Sequence, residues 1–153
     1  MPNDLYEHDI LTWSERQADL LRRMANGERV NDVDWPHVTE EIADVGISEL
    51  NAVKGLTGQI MIHLIKINLF PADTARAHWH QELDASIDSV KYRYAPSMLL
   101  RIDIQPIWDR AKQRATKYCA ENQGTGALPS GCPWTIEELL LNDHEAQLAA
   151  LPA

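Results

Sequence analysis

Four polar side chains occur where helical periodicity predicts buried faces, and they are the first candidates for chemistry. In the stretch 35–70, apolar residues recur at the three-and-four spacing of one helix face, which predicts a buried stripe of Val38, Ile42, Val45, Val53, Leu56, Ile60 and Ile67. His63 falls inside this apolar stripe, and Glu41 and Lys66 lie on its margin. Gln17 occupies the centre of the apolar face of the preceding helical segment. These side chains form a predicted polar core: Gln17, Glu41, His63 and Lys66.

One hypothesis for this core is a metal centre formed by His63 and His80. If the turn near residue 72 joins two antiparallel helices, His63 lies level with residues 79–83. Imidazoles on facing helices bind zinc or iron, so this reading predicts a metal-dependent helical enzyme, with Glu82 or Asp9 as a further ligand. The alternative makes His63 a core histidine that donates to a carbonyl or carboxylate, while Lys66 reaches solvent. The sequence contains neither HExxH nor paired ExxH motifs, which favours this alternative.

A second hypothesis concerns Gln17 and Glu41. If the loop near Asn31 joins the first two helices as a hairpin, Gln17 lies level with residues 41–45. A buried Glu41 with a raised pKa would suit acid-base chemistry, whereas a hydrogen-bonded pair would only fix the register of two helices. A single carboxylate is not a mechanism, which favours the structural role. Glu41 and His63 are about 33 Å apart along a straight helix, so they cannot share a site within one chain.

Helix start and stop signals predict the elements that position these side chains. No segment alternates as a strand does, and a length of 153 residues predicts one domain. We therefore expect an all-α, single-domain bundle of about five helices with short antiparallel connections. Whether the long 35–70 helix is continuous or broken near Gly46 stays open. The predicted helix starts are Asn3 or Asp4, Asp34, Asp73 or Thr74, Pro106, and a capping box at Thr135 to Glu138.

The charge and apolar content exclude several classes of partner. With 14 basic and 23 acidic side chains the net charge is −9, which repels a phosphate backbone, so we expect no nucleic-acid binding. The most apolar window, 60–70, is too short to span a bilayer, and we see no signal peptide. Cys119 and Cys132 do not form a CxxC pair, so we expect two thiols in a cytoplasmic protein.

A series of short motifs runs in order along almost the whole chain. They are Asp9–Trp13, Gln17–Arg22, Asp34-Trp35, Glu40–Ile42 running to Gly46, His63–Lys66, Trp79, Pro96-Ser97 and Cys132–Thr135. With these motifs the chain resembles the bacterial family called domain of unknown function 29. Leu11 stands where that family commonly has an aromatic residue, and Ile65 replaces the second leucine of its usual HLLK, both with retained apolar volume. The resemblance implies a small helical protein and brings no activity, substrate or cofactor.

Together these observations predict a non-catalytic helical bundle that acts as an interaction or regulatory protein. No Walker loop, GxGxxG or GxSxG motif is present. We expect no cofactor, and a protein partner or a second copy of the chain in a homodimer. The competing prediction is the metal-dependent enzyme with a divalent ion at His63 and His80.

Overall fold

The computed structural model describes residues 2–122, 128–141 and 143–152. This part of the chain contains helices and no strand, so the predicted all-α class is confirmed. Four of the helices are long, and the chain divides into two compact units, Met1–Ser48 (unit 1) and Glu49–Ala153 (unit 2). The elements are α1 (Pro2–His8), α2 (Ile10–Ala25), α3 (Trp35–Leu69), α4 (Arg76–Arg93), a 3₁₀ helix (Pro96–Arg101), α5 (Ile104–Asn122), α6 (Ile136–Leu141) and α7 (His144–Ala149).

The predicted first helix is divided into α1 and α2 at Asp9. The Asp9 carboxylate caps α2, because it accepts hydrogen bonds from the backbone N–H and the hydroxyl of Thr12 at 3.0 and 2.6 Å. These two bonds hold the pKa of Asp9 below its usual value. Gly27 ends α2 with a φ of 86°, a conformation that favours glycine. The side chains of Asn3 and Asp4, the predicted caps, lie outside the described residues.

The long helix α3 is continuous through Gly46 and begins at Trp35, directly after the predicted cap Asp34. One feature of its predicted apolar stripe is wrong. Ile42 and Val45 were expected in the core with Val38, but their side chains are 67% and 68% exposed, whereas Val38 is buried. Every residue from 42 to 48 is exposed. Periodicity identifies an apolar face but not whether another element covers it.

Unit 2 contains most of the apolar core. Residues of α3, α4, α5 and α6 pack together around Trp108, which is fully buried and meets Trp134 edge to face at 5.5 Å. The capping box at α6 is confirmed, since the Thr135 N–H donates to Glu138 at 2.8 Å and the Glu138 N–H donates to Thr135 at 3.2 Å. In the described chain, no helix is both long and apolar enough to cross a membrane.

Candidate functional site

A polar network in unit 1 centres on Asp34, the residue directly before α3. Its carboxylate accepts a hydrogen bond from the Trp13 indole N–H at 3.1 Å and lies 2.7 Å from Nδ1 of His37. Its backbone N–H donates to Oε1 of the buried Gln17 at 2.8 Å. The His37 and Trp13 hydrogen bonds hold the pKa of Asp34 below its usual range, so the group is a carboxylate.

Tyr6 extends this network to α1 and to the second turn of α3. Its ring stacks on His37 with centroids 3.8 Å apart, and its hydroxyl donates to Oε1 of Glu41 at 2.6 Å. The hydrogen bond to a carboxylate raises the pKa of Tyr6 to about 12, so the phenol stays protonated at neutral pH. One network therefore joins α1, α2 and the start of α3.

The predicted register of Gln17 against Glu41 is wrong. Gln17, in α2, accepts a hydrogen bond from Asp34, directly before α3. Glu41 lies seven residues beyond Asp34 in the chain and accepts a hydrogen bond from Tyr6. The hairpin estimate assumed that α3 begins level with the end of α2. Instead the connection from Gly27 to Asp34 contains no helix and returns along α2, so that Asp34 meets the middle of α2.

The chemistry available in this network is limited by its packing. A carboxylate beside an imidazole can orient a general base. Here the His37 ring is covered on one face by Tyr6 and meets the edge of Trp13 at 6.4 Å, and no Ser, Thr or Cys hydroxyl or thiol among the described side chains hydrogen-bonds to it. The arrangement ties three helices together. Four motif residues of the family resemblance, Trp13, Gln17, Asp34 and Glu41, belong to it.

The predicted position of His63 in unit 2 is confirmed. The imidazole is buried and lies level with α4, where its Nε2 is 3.2 Å from Glu82. The other Glu82 oxygen is 3.0 Å from Nε2 of the exposed His78. His63 Nδ1 has no hydrogen-bond partner in the described structure. Burial lowers the pKa of His63, and the neighbouring Lys66 and His78 act in the same direction.

His80 belongs to a separate cluster. Its Nδ1 lies 2.9 Å from Nδ1 of His144, and the two rings stack at 5.1 Å. His144 Nε2 is 2.8 Å from Asp84. Burial and the neighbouring His144 lower the pKa of His80.

The two histidine clusters use opposite faces of α4. Two residues along a helix turn the side chain by about 200°, so His80 points away from the side that carries His78 and Glu82. His63 and His80 thus have different partners. Among the described residues, no group of three or more His, Cys, Asp or Glu side chains is arranged to hold a metal ion.

Lys66 contacts aromatic rings instead of extending into solvent. Its half-buried ammonium group lies 5.7 Å from the ring centroid of Trp79 and 4.5 Å from that of Tyr118, which is cation–π geometry. Phe70 meets both rings edge to face. Lys66 therefore belongs to an aromatic cluster of unit 2 and has no described contact with Gln17 or Glu41.

Cys132 is half-buried, and its thiol is free. Its Sγ donates to the Trp134 carbonyl at 3.3 Å, and burial raises the pKa of the thiol. A nucleophilic cysteine needs a lowered pKa, so Cys132 is not activated in this arrangement. The side chain of Cys119 lies outside the described residues.

A basic groove in unit 2 was missed by the sequence analysis. Its volume is about 900 Å³, and five cationic side chains line it together with one carboxylate, that of Asp103. The cations come from four different helices and are far apart in the sequence, so no basic run marks them. The residues are Lys54, Arg93, Arg101, Arg110 and Arg114.

Comparison with known proteins agrees with this all-helical architecture. No curated protein matches the chain. A solved structure, that of an alpha-helical protein of unknown function from Rhodospirillum rubrum, is similar to it with 32% sequence identity and a TM-score of 0.75, over 97% of this chain and 98% of that one. The family profile described as Domain of unknown function DUF29 matches residues 5–144. The chain therefore belongs to the DUF29 family.

Proposed function

We propose that this protein is a non-catalytic interaction protein that forms a homodimer through an exposed apolar face of α3. The observation that carries the proposal is the exposure of Ile42 and Val45, at 67% and 68%. Both side chains continue the stripe that is buried at Val38 and buried again at Val53. An apolar helix face that is uncovered over part of its length is typical of a contact surface.

The exposed apolar side chains are concentrated in unit 1. Of the eleven large hydrophobic side chains that are exposed in the described chain, seven belong to this unit, although it is less than half as long as unit 2. Trp35, Ile42 and Val45 share one face of α3, because their spacing of seven and three residues returns to nearly the same direction. Gly46 lies beside them, and a Cβ added there would meet nothing within 4 Å. A second helix could thus approach α3 closely at this point.

The occupant that suits this face is a second copy of the chain. A two-fold axis places the same patch of both copies in contact, so an apolar patch meets an equally apolar patch. The contact then relies on apolar burial, which must outweigh the repulsion between two copies that each carry a net charge of −9. Burial of Ile42 and Val45 in both copies contributes about 25 cal/mol for each Å² of apolar surface removed from water.

The proposal includes no catalytic activity because the candidate polar groups contact other side chains of the protein. Asp34, Glu41, His63 and His80 each contact another side chain within their own unit. The proposal includes no cofactor. Elemental analysis of protein purified without a metal-affinity tag is expected to find no stoichiometric metal. Stoichiometric zinc, iron or manganese that is lost in His63→Ala or His80→Ala would overturn the non-catalytic reading in favour of a metal-dependent enzyme.

We place the protein in the bacterial cytoplasm. The free Cys132 thiol is compatible with a reducing compartment, and the similar solved structure comes from a bacterium. Fractionation of the source cells followed by immunoblotting tests this placement, and recovery in the periplasmic or membrane fraction would contradict it.

Sedimentation equilibrium tests the dimer directly. The wild-type protein is expected to sediment as a dimer at micromolar concentration, and Ile42→Glu is expected to sediment as a monomer, because a charge cannot be buried unpaired in the contact. Leu100→Glu is the matched control, since Leu100 is 96% exposed in unit 2 and should leave the dimer intact. A monomeric wild type, or equal dissociation by both variants, would refute the proposal.

A further inference from the structure

The groove of unit 2 has the size and charge of a site for a small anion. Its volume of about 900 Å³ lies within the range of small-molecule sites, which is roughly 300–1,000 Å³. A smaller hollow adjoins it, shares Gln59, Ile62 and Arg114 with it, and adds the cations Lys66 and Lys117. Seven basic residues therefore line the two hollows together.

Most of these cations lack a counterion within the described chain. Arg93 is paired with Glu49 at 2.7 Å. Lys54, Arg101, Arg110 and Arg114 form no ion pair with any described carboxylate. Like charges that converge on a concave surface raise its free energy, and a bound anion lowers it again.

The concentration of basic residues here runs against the composition of the chain. Acidic residues outnumber basic ones by 23 to 14 overall, yet five basic residues and one acidic residue line the larger hollow. The chain thus contains enough carboxylates to neutralise these cations. The local excess of positive charge indicates a ligand that supplies the negative charge itself.

The type of basic side chain in the groove indicates which anion it binds. Four of the five basic residues in the larger hollow are arginines, whose planar guanidinium groups bind phosphate oxygens through two parallel hydrogen bonds. Apolar residues also line the groove, among them Leu56, Pro106 and Ile107. We propose that this groove binds a small molecule with a polyphosphate chain, whose phosphate oxygens contact Arg101, Arg110 and Arg114. The inference concerns unit 2 and does not depend on the dimer.

Two glycines leave space for this ligand. Gly55 and Gly58 of α3 line the groove, and a Cβ added at Gly55 would meet nothing within 4 Å. Glycine lowers helix propensity by up to about 1 kcal/mol, and no packing contact of the described chain requires it at position 55. Glycine at position 55 therefore leaves an empty volume in the groove.

Isothermal titration calorimetry at low salt tests the site with inorganic tripolyphosphate and with ATP, both without divalent metal. We expect both probes to bind, and tighter binding of ATP would indicate that its nucleoside contacts the apolar residues of the groove. Arg110→Gln and Arg114→Gln should each weaken binding at least about tenfold, because each removes a charged phosphate contact. Lys91→Gln is the matched control: Lys91 is an exposed cation of α4 that does not line the groove, and its loss should leave affinity unchanged.

Gly55→Leu separates a groove from a diffuse basic surface. The variant keeps every charge but fills the hollow, so binding should be lost while stability against denaturant is equal or higher. Failure of both probes to bind overturns the proposal, as does unchanged binding by Gly55→Leu or an equal loss in Lys91→Gln. An acidic peptide or a single-stranded oligonucleotide that binds in the same Gly55-sensitive manner, and more tightly than either probe, would also overturn it.

Discussion

The two units of this chain are stabilised in different ways. Among the described side chains of unit 1, Trp13, Leu20 and Val38 are the buried apolar ones, and hydrogen bonds around Asp34 join its helices. The described part of unit 2 instead contains an apolar cluster of nineteen buried residues. A segment as short as unit 1 buries too little apolar surface to be stable through hydrophobic burial alone. Its directional hydrogen bonds therefore carry more of the specificity of its fold.

This difference predicts where a substitution is most damaging. In a large cluster the cost comes from the lost apolar contacts and the cavity that remains. In a small polar network the cost comes from groups that lose their hydrogen-bond partners, because an unsatisfied buried group keeps its desolvation penalty.

The largest effect is expected for Trp108→Ala in unit 2. Trp108 is fully buried, packs against Trp134 and donates its indole N–H to the Pro129 carbonyl at 3.1 Å. Its truncation should lower the free energy of unfolding by about 3–5 kcal/mol, measured by urea denaturation. Tyr92→Ala, at a side chain that is 91% exposed, is the control and should change it by less than about 0.5 kcal/mol. Similar losses in both variants would contradict the cluster as the main source of stability.

Asp34→Ala is expected to have a smaller and more local effect. The change removes the hydrogen-bond acceptor of the Trp13 indole and the hydrogen-bond partner of His37, which should cost about 1.5–3 kcal/mol. Hydrogen exchange measured by NMR should show faster exchange in α1, α2 and the first turns of α3, with α4 and α5 nearly unchanged. Asp32→Ala removes an exposed carboxylate two residues away and is the control. Uniformly faster exchange across both units would argue against a separate role for the network.

The sequence predicted those features that depend on one helix at a time. The all-α class, the start of α3, the capping box at Thr135 and the burial of Gln17 and His63 follow from spacing and local signals. The family was indicated separately, by the resemblance of motifs along the chain. Features that depend on two helices were predicted only where the connection is short. The tight turn after α3 placed His63 beside Glu82 as expected, whereas the long return before Asp34 shifted the partner of Gln17.

The basic groove could not be predicted for the same reason. Lys54, Arg93, Arg101 and Arg110 stand on different helices, and nothing in the spacing along the chain shows that they converge. The net charge of −9 even argued against an anion site, because it averages over the whole surface. A local excess of charge becomes visible only when the helices are packed.

The smallest of these effects is a difference in the pH dependence of the two units. Burial lowers the pKa of His63 in unit 2, so the folded chain binds this proton less readily than the unfolded chain, whose pKa is near 6.5. Stability therefore begins to fall as the pH drops below 6.5, and the loss is complete once the pH is below the folded-state pKa. In unit 1 the lowered pKa of Asp34 acts at a more acid pH, since its contribution is present above 3.8 and lost below it.

Replacement of His63 by glutamine should remove the contribution of His63 to the pH dependence and leave that of Asp34. Urea denaturation of the wild type between about pH 8 and about pH 5 should show decreasing stability, and His63→Gln should show a shallower decrease because it cannot bind the proton. A part of the slope should persist in the variant, since the pKa of His80 is also lowered by burial and by His144. NMR titration should place the His63 pKa below 6.5. Equal slopes in the two proteins would mean that the Glu82 carboxylate, which favours the protonated imidazole, fully offsets the cost of burial.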